Sequence, residues 1–198
     1  MKRSLSFYIK FFLIISAGVF VAICFFRGFS DSVKDNWNYL CETAVYMNLL
    51  VLAYIKLVWL VCPFESMPCF CKKYRGRLKY LYDSGGKKNV EIQIEQTLLS
   101  INIKMITNET TSNSITSSLV EENNCWMLYY TYITSPNASS SAKNPIQKGS
   151  ACLEIEKPKR TIKTLYFPVF NRVPRLKGTY WTSRNTIGDL EFWQEKET

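Results

Sequence analysis

From Phe11 to Phe26 the chain carries no charged side chain, and with Phe7 to Lys10 this stretch reaches 20 residues. At about 1.5 Å per residue a helix of that length covers a hydrocarbon core of roughly 30 Å. A second run, Thr43 to Cys62, is also 20 residues long, bounded by Glu42 and Pro63 and interrupted only by Asn48 and Lys56. Two transmembrane α-helices over about 7–26 and 43–62 are therefore expected, in a module covering residues 1–65. The first run follows Met1-Lys2-Arg3, where a cleaved signal peptide would also sit. No small-x-small cleavage site precedes Arg27, and Val21-Ala22-Ile23-Cys24 puts Ile23 where a lipoprotein cleavage box needs a small residue, so an uncleaved helix is expected.

Lysine and arginine near a span tend to stay in the cytoplasm. Lys2, Arg3 and Lys10 flank the first run, and Lys72, Lys73, Arg75, Arg77 and Lys79 follow the second, whereas Arg27 to Glu42 holds only Arg27 and Lys34 as bases. The N-terminus and everything after the second span are thus expected on the cytoplasmic side of a cell membrane. Lys56 reads either as a functional intramembrane charge or as a stem that snorkels to the headgroups six residues before Cys62, the second reading being favoured. Asn48 either bonds across helices or sits near an interface, and Ser16-Ala17-Gly18 offers a close approach for another helix.

After Pro68 the pattern changes to short alternating segments ended by turn residues, the mark of an all-β sandwich or barrel in a second domain, residues 66–198. Strands are expected near 74–82, 90–96, 99–106, 115–121, 126–134, 150–156, 162–167, 176–183 and 188–194. Ser84-Gly85-Gly86 reads as a hairpin turn and Ser135 to Lys148 as a polar loop. This domain is basic, with 19 Lys and Arg against 12 Asp and Glu. The seven cysteines are odd in number and irregular in spacing, which suits a reducing compartment. Cys69-x-Cys71 lacks two further ligands at metal-site spacing, and the chain has no His, so no metal is expected.

With side chains alternating at period two, Gly76, Leu78, Tyr80 and Tyr82 share one face of the first strand, and Arg75, Arg77, Lys79 and Leu81 the other. The basic face suits solvent or anionic headgroups. Between Leu176 and Gly188, one parity collects Gly178, Tyr180, Thr182, Arg184, Thr186 and Gly188. Facing a lumen, these residues supply a ring, two hydroxyls and a guanidinium, which needs an acid or an anionic ligand when buried. Arginine binds phosphate through its planar donors and a tyrosine face stacks a base. Trp126, Leu128, Tyr130 and Tyr132 offer an opposite wall. A surface arginine beside ordinary core aromatics fits the same spacing.

Two spans followed by a basic β-rich domain ending in Leu176-x-Gly178-x-Tyr180-x-Thr182-x-Arg184-x-Thr186-x-Gly188 resemble the two-transmembrane, β-strand-rich effectors of bacterial CBASS antiphage systems. Gln96-Thr97, the serines Ser112, Ser114, Ser117 and Ser118, Tyr130-Thr131-Tyr132, Pro136 and Gly149-x-x-x-Leu153 add to the resemblance. It implies an eight-stranded, lipocalin-like barrel that binds a cyclic dinucleotide made by a partner nucleotidyltransferase. It also implies assembly of a homo-oligomer in the inner membrane on ligand binding, and membrane disruption that ends the infected cell. By the same resemblance Arg184 would meet phosphate, Thr182 and Thr186 phosphate or ribose, and Tyr180, with Tyr80 and Tyr132 by parity, would stack or shape the ligand.

Two other binding functions compete. A membrane-tethered lipocalin-like binder of a lipid or other small apolar ligand would want a dry apolar lumen, which Arg184 and the threonines disfavour. A binder of single-stranded nucleic acid would use basic charge with interspersed aromatics, and is not the expectation here. An enzyme is the least expected class: there is no His, no phosphate-cradling or dinucleotide-binding glycine pattern and no Gly-x-Ser-x-Gly, so neither catalytic residues nor a cofactor are expected.

Overall fold

The computed structural model describes residues 5–29, 31–62, 67–80, 85–123, 125–137, 146–156 and 172–194. The chain divides into two compact units, Met1–Trp59 and Leu60–Thr198.

The first unit is a helical hairpin of α1 (Leu5–Arg27) and α2 (Val33–Lys56). The two run antiparallel: Arg27 pairs with Glu42 at 2.9 Å at one end, and the Phe12 and Tyr54 rings meet edge to face, 5.9 Å apart, towards the other. Among the described residues one helix, through Ile9–Arg27, has the length and composition to cross a hydrocarbon core. The second expected span is not one continuous α-helix. α2 starts ten residues before Thr43, on Lys34 and Asp35, and its α-helical course ends at Lys56. Leu57 leaves the helical region and Val58–Val61 form a tighter 3-10 turn shortly before Pro63. Lys56 thus stands in the last turn, where a cation complements the unpaired carbonyls. Asn48 donates its amide to the Ala44 carbonyl at 2.8 Å, a bond within its own helix.

The second unit is a closed barrel of eight antiparallel strands in sequence order: β1 (Lys73–Tyr80), β2 (Gly86–Gln96), β3 (Ile101–Ile106), β4 (Thr110–Glu122), β5 (Cys125–Pro136), β6 (Gln147–Ile155), β7 (Arg175–Thr182) and β8 (Ile187–Gln194). β1 pairs with β8, so no strand edge is left open. Alternation sends Tyr74, Ile92, Ile94, Leu128, Leu153, Leu176 and Phe192 inward to fill one half of the lumen. Burying such side chains is worth about 1.5–3 kcal/mol each. Arg75, Arg77 and Lys79 point outward, as their parity requires. Arg77 lies 5.5 Å over the Trp193 ring.

The filled half is closed by the chain entering β1. The Tyr74 hydroxyl accepts the Cys71 N–H at 2.9 Å and donates to the Val173 carbonyl at 3.0 Å. Gln96 accepts the Phe70 N–H and donates to the Pro68 carbonyl, both at 3.0 Å.

Two strands run longer than their alternation suggests. β4 begins at Thr110 rather than 115, and β2 at Gly86 rather than 90, because their leading inward positions are polar and therefore read as loop. In β4 the register slips between Ser114 and Thr116, and the intervening Ile115 is exposed. There Ser114 Oγ accepts the Ile103 N–H at 2.9 Å and Ser117 Oγ donates to the Ile101 carbonyl, so serine side chains take over where the β3–β4 backbone ladder stops. The expected strand 162–167, Leu81, Tyr82 and Ser84 lie outside the described residues.

Candidate functional site

The other half of the barrel is not filled. It opens at the end where β1, β3, β5 and β7 finish, opposite to where β1 begins, as a cavity of about 540 Å³. That volume lies within the roughly 300–1,000 Å³ typical of small-molecule sites. Tyr80, Tyr132, Tyr180, Thr182, Arg184 and Thr186 all line it. Residues from three strands and the β7–β8 connection, far apart in the chain, thus converge on one space.

Three tyrosines form its aromatic wall, and each faces a glycine directly across a strand pair: Tyr80 opposite Gly86, Tyr132 opposite Gly149, and Tyr180 opposite Gly188. A Cβ on Gly86 would stand 2.3 Å from the Tyr80 hydroxyl oxygen, and one on Gly149 would stand 2.4 Å from Tyr132 Cζ. The missing side chains let the rings lie against the barrel wall and leave the lumen open. Burial, and secondarily the neighbouring Tyr180, holds the Tyr132 phenol above its ordinary value of 10.0. Burial, then Tyr80 and Asp189, raises Tyr180 as well. Both therefore stay neutral hydroxyls at physiological pH.

The β7–β8 hairpin sets the polar side. Thr182 donates its N–H to the Thr186 carbonyl at 3.0 Å, and the Asn185 N–H reaches the Thr182 carbonyl at 3.1 Å. Asn185 has φ 57°, which asparagine tolerates, giving a three-residue loop of Ser183, Arg184 and Asn185. Thr182 and Thr186 therefore face each other across the hairpin, their hydroxyl oxygens 2.5 Å apart. The alternation expected through Gly188 holds at Thr186 and Gly188 and fails only at Arg184, which stands in the loop. Arg184 is exposed at the mouth rather than buried in the lumen, with its N–H donated to Thr182 Oγ1 at 3.3 Å. A guanidinium there needs no buried acid and stays available to an incoming anion.

The expected opposite wall is only partly realised. Tyr132 reaches the cavity, whereas Leu128 and Tyr130 are packed in the core and Trp126 lies against it, because they stand deeper along β5. Besides the apolar Leu78 and Met105, seven polar lining residues were not singled out as ligand contacts: Lys88, Thr107, Glu109, Thr110, Ser112, Thr134 and Gln147. Ser112 and Thr134 bond each other at 2.7 Å, and Thr107 and Thr110 at 2.9 Å. A polar residue at every second position of 110–112 and of 132–134 was the available signal, since an inward polar pair marks a wet lumen. Lys88 pairs with Glu109 at 2.8 Å and sits 5.7 Å from the Tyr80 ring centroid. The site thus combines aromatic faces, hydroxyls in pairs that keep further bonding capacity, and two cations near its mouth, the complement of a ligand with rings, sugar hydroxyls and phosphates.

Comparison with known proteins agrees with this chemistry. The Cap15 cyclic dinucleotide receptor domain matches residues 67–194, which include the whole barrel. CD-NTase-associated protein 15 of Staphylococcus schleiferi is 34% identical over 151 residues, covering 75% of this chain and 74% of that protein.

Proposed function

The chain belongs to the Cap15 cyclic dinucleotide receptor family of CBASS effectors, and from that premise we propose that its barrel cavity captures a cyclic dinucleotide made by a partner nucleotidyltransferase. The observation that carries this reading is the convergence of Tyr80, Tyr132, Tyr180, Thr182, Arg184 and Thr186 on one open barrel end. In it, Arg184 meets a phosphate, Thr182 and Thr186 bond phosphate or ribose oxygens, and the tyrosines give the bases flat apolar faces. The barrel acts by binding rather than by catalysis and needs no cofactor.

The helical hairpin is the output. α1, and α2 with the 3-10 turn after it, lodge in the bacterial inner membrane as two spans with the barrel on the cytoplasmic side. Ligand capture drives copies of the chain into an oligomer whose helices disrupt the bilayer and end the infected cell. The apolar segment Ile9–Arg27 supports the anchoring, and the fusion of a sensor to an otherwise plain hairpin supports assembly as the signal.

Calorimetry on the full chain in detergent micelles, against cyclic dinucleotides, their linear counterparts and a fatty acid, tests the ligand. Saturable binding of a cyclic species that Arg184→Ala weakens by about tenfold or more is expected. Binding of the fatty acid alone would overturn the reading in favour of an apolar carrier. Crosslinking in vesicles with and without the bound nucleotide tests assembly, and an unchanged oligomer distribution would refute it.

A further inference from the structure

The outer wall of the barrel is basic on one side only. On β1, Lys73, Arg75, Arg77 and Lys79 point outward, and strand pairing sets Lys87 of β2 directly opposite Lys79. Like charges so placed destabilise a strand pair. Among the described residues Lys73, Lys79 and Lys87 form no ion pair that would offset this. Across β8, β7 adds Arg175 and Lys177. The acids within these rows are Glu91 on β2 and Asp189 and Glu191 on β8, with Glu191 shared between Arg175 and Lys177 at 3.8 Å each, so the cations outnumber them. The outward positions of β3 to β6 instead carry Lys104 and Lys148 against Glu122 and Glu154, an even balance.

Large apolar side chains frame the same rows. At the open end of the barrel Trp181 of β7 and Ile187 of β8 pair across the hairpin, 46% and 55% exposed. Towards the other end Trp193 pairs with Arg75 and Arg175, and the Arg77 guanidinium lies 5.5 Å over its ring. We propose that this face, β7, β8 and β1 with Lys87, docks on the surface of an anionic bilayer, with Trp181 and Ile187 entering the headgroup layer. An apolar patch alone leaves its occupant open, but excess positive charge around it specifies a negative surface, and tryptophan settles at the boundary of water and lipid. The proposal goes beyond the anchoring of the helical hairpin and rests on it for bringing the barrel to the bilayer: Lys73 follows Cys62 by eleven residues, which reach at most about 40 Å. The β7–β8 hairpin that carries Trp181 and Ile187 also carries Arg184, so lipid docking and ligand capture share one element.

The test reconstitutes the full chain into vesicles of phosphatidylcholine, with and without phosphatidylglycerol, doped with a nitroxide-headgroup lipid that quenches nearby tryptophans. The Trp181 contribution is the difference between the wild type and Trp181→Phe. Its quenching is expected to rise about twofold or more with phosphatidylglycerol and to fall back at high salt, which screens the surface potential. Lys79→Gln with Lys87→Gln should remove most of the rise, since each basic group near an anionic surface is worth about fivefold in affinity. Lys104→Gln with Lys148→Gln, on the balanced side, should leave it unchanged, and thermal melting confirms that each variant is folded. Quenching that ignores lipid charge, or that the two pairs of substitutions reduce equally, would overturn docking by this face and leave the cyclic dinucleotide reading intact. Flat quenching together with capture of an added oligonucleotide, lost in the Lys79 and Lys87 variant, would overturn it in favour of nucleic acid. Alkaline carbonate extraction of the same vesicles separates the helical anchor: release of the chain would overturn the anchor, with the quenching result still deciding the face.

Discussion

The Tyr180 ring lies across Gly188 of the neighbouring strand: a Cβ on that glycine would stand 2.6 Å from Tyr180 Cε1 and 2.0 Å from the Lys79 carbonyl oxygen. The pair couples the shape of the cavity to the packing of three strands, because β1, β7 and β8 meet at this point. The spacing Tyr180 to Gly188 in the terminal motif is thus a register: the two residues face each other across a hairpin whose turn carries Arg184.

The glycine beneath Tyr80 should behave differently. At Gly86 every close contact of an added Cβ is with the Tyr80 side chain, whereas at Gly188 it includes backbone. Gly188→Ala is expected to destabilise the barrel by about 1–3 kcal/mol, as overpacking does. Gly86→Ala should leave stability nearly unchanged but push Tyr80 into the cavity and weaken nucleotide binding several-fold. Denaturant melts alongside calorimetry on the two variants separate the effects.

Arg184 is exposed in a turn, so its replacement should spare the fold. Arg184→Ala is expected to reduce nucleotide affinity by about tenfold or more, the worth of a hydrogen bond to a charged group. Arg184→Lys should recover only part of it, since an ammonium lacks the paired planar donors. Binding curves at two salt concentrations check this, because a contact at the exposed mouth also weakens as salt rises.

Two buried tyrosines make opposite predictions. Among the described residues the Tyr130 hydroxyl is buried with no hydrogen-bond partner, whereas the Tyr74 hydroxyl joins Cys71 to Val173. Tyr130→Phe is expected to be neutral or to stabilise by up to about 1 kcal/mol, and Tyr74→Phe to destabilise by about 1–3 kcal/mol, because it strands a buried N–H and a carbonyl. Equilibrium unfolding of the two variants checks the contrast.

Burial holds the Tyr74, Tyr130 and Tyr132 phenols above their ordinary value of 10.0. Above about pH 10 the unfolded chain releases these protons while the folded barrel retains them, so the unfolded state binds fewer protons and stability falls as pH rises. Full stability is expected below pH 10 and loss above it, with Tyr130→Phe flattening the slope. Denaturant midpoints across this range, with phenolate absorbance as a second probe, measure it.

Much of the barrel is legible in the sequence because inward and outward positions alternate locally. Tyr80, Tyr132, Tyr180 and Thr182 face inward in the structure as their parity requires. The alternation misled where the lumen itself is polar: Thr110 to Ser114 and Gly86 to Asn89 lack an apolar rhythm, since water or ligand rather than core lies behind them. It also misled at Arg184, which lies in the three-residue loop between Thr182 and Thr186 and so follows the alternation of neither strand.

What the sequence by itself determined is therefore the kind of element and the face of each side chain: an apolar run long enough for a membrane-length helix, then strands whose period of two selects their inward residues. Only the tertiary structure decided which end of the barrel stays empty and which residues meet there. Closure pairs β1 with β8, across more than a hundred residues, and brings Lys88 of β2 against Glu109 of the β3–β4 turn. Such contacts depend on strand register and on glycines that admit a ring from the neighbouring strand. Both are non-local, set by packing the whole barrel at once.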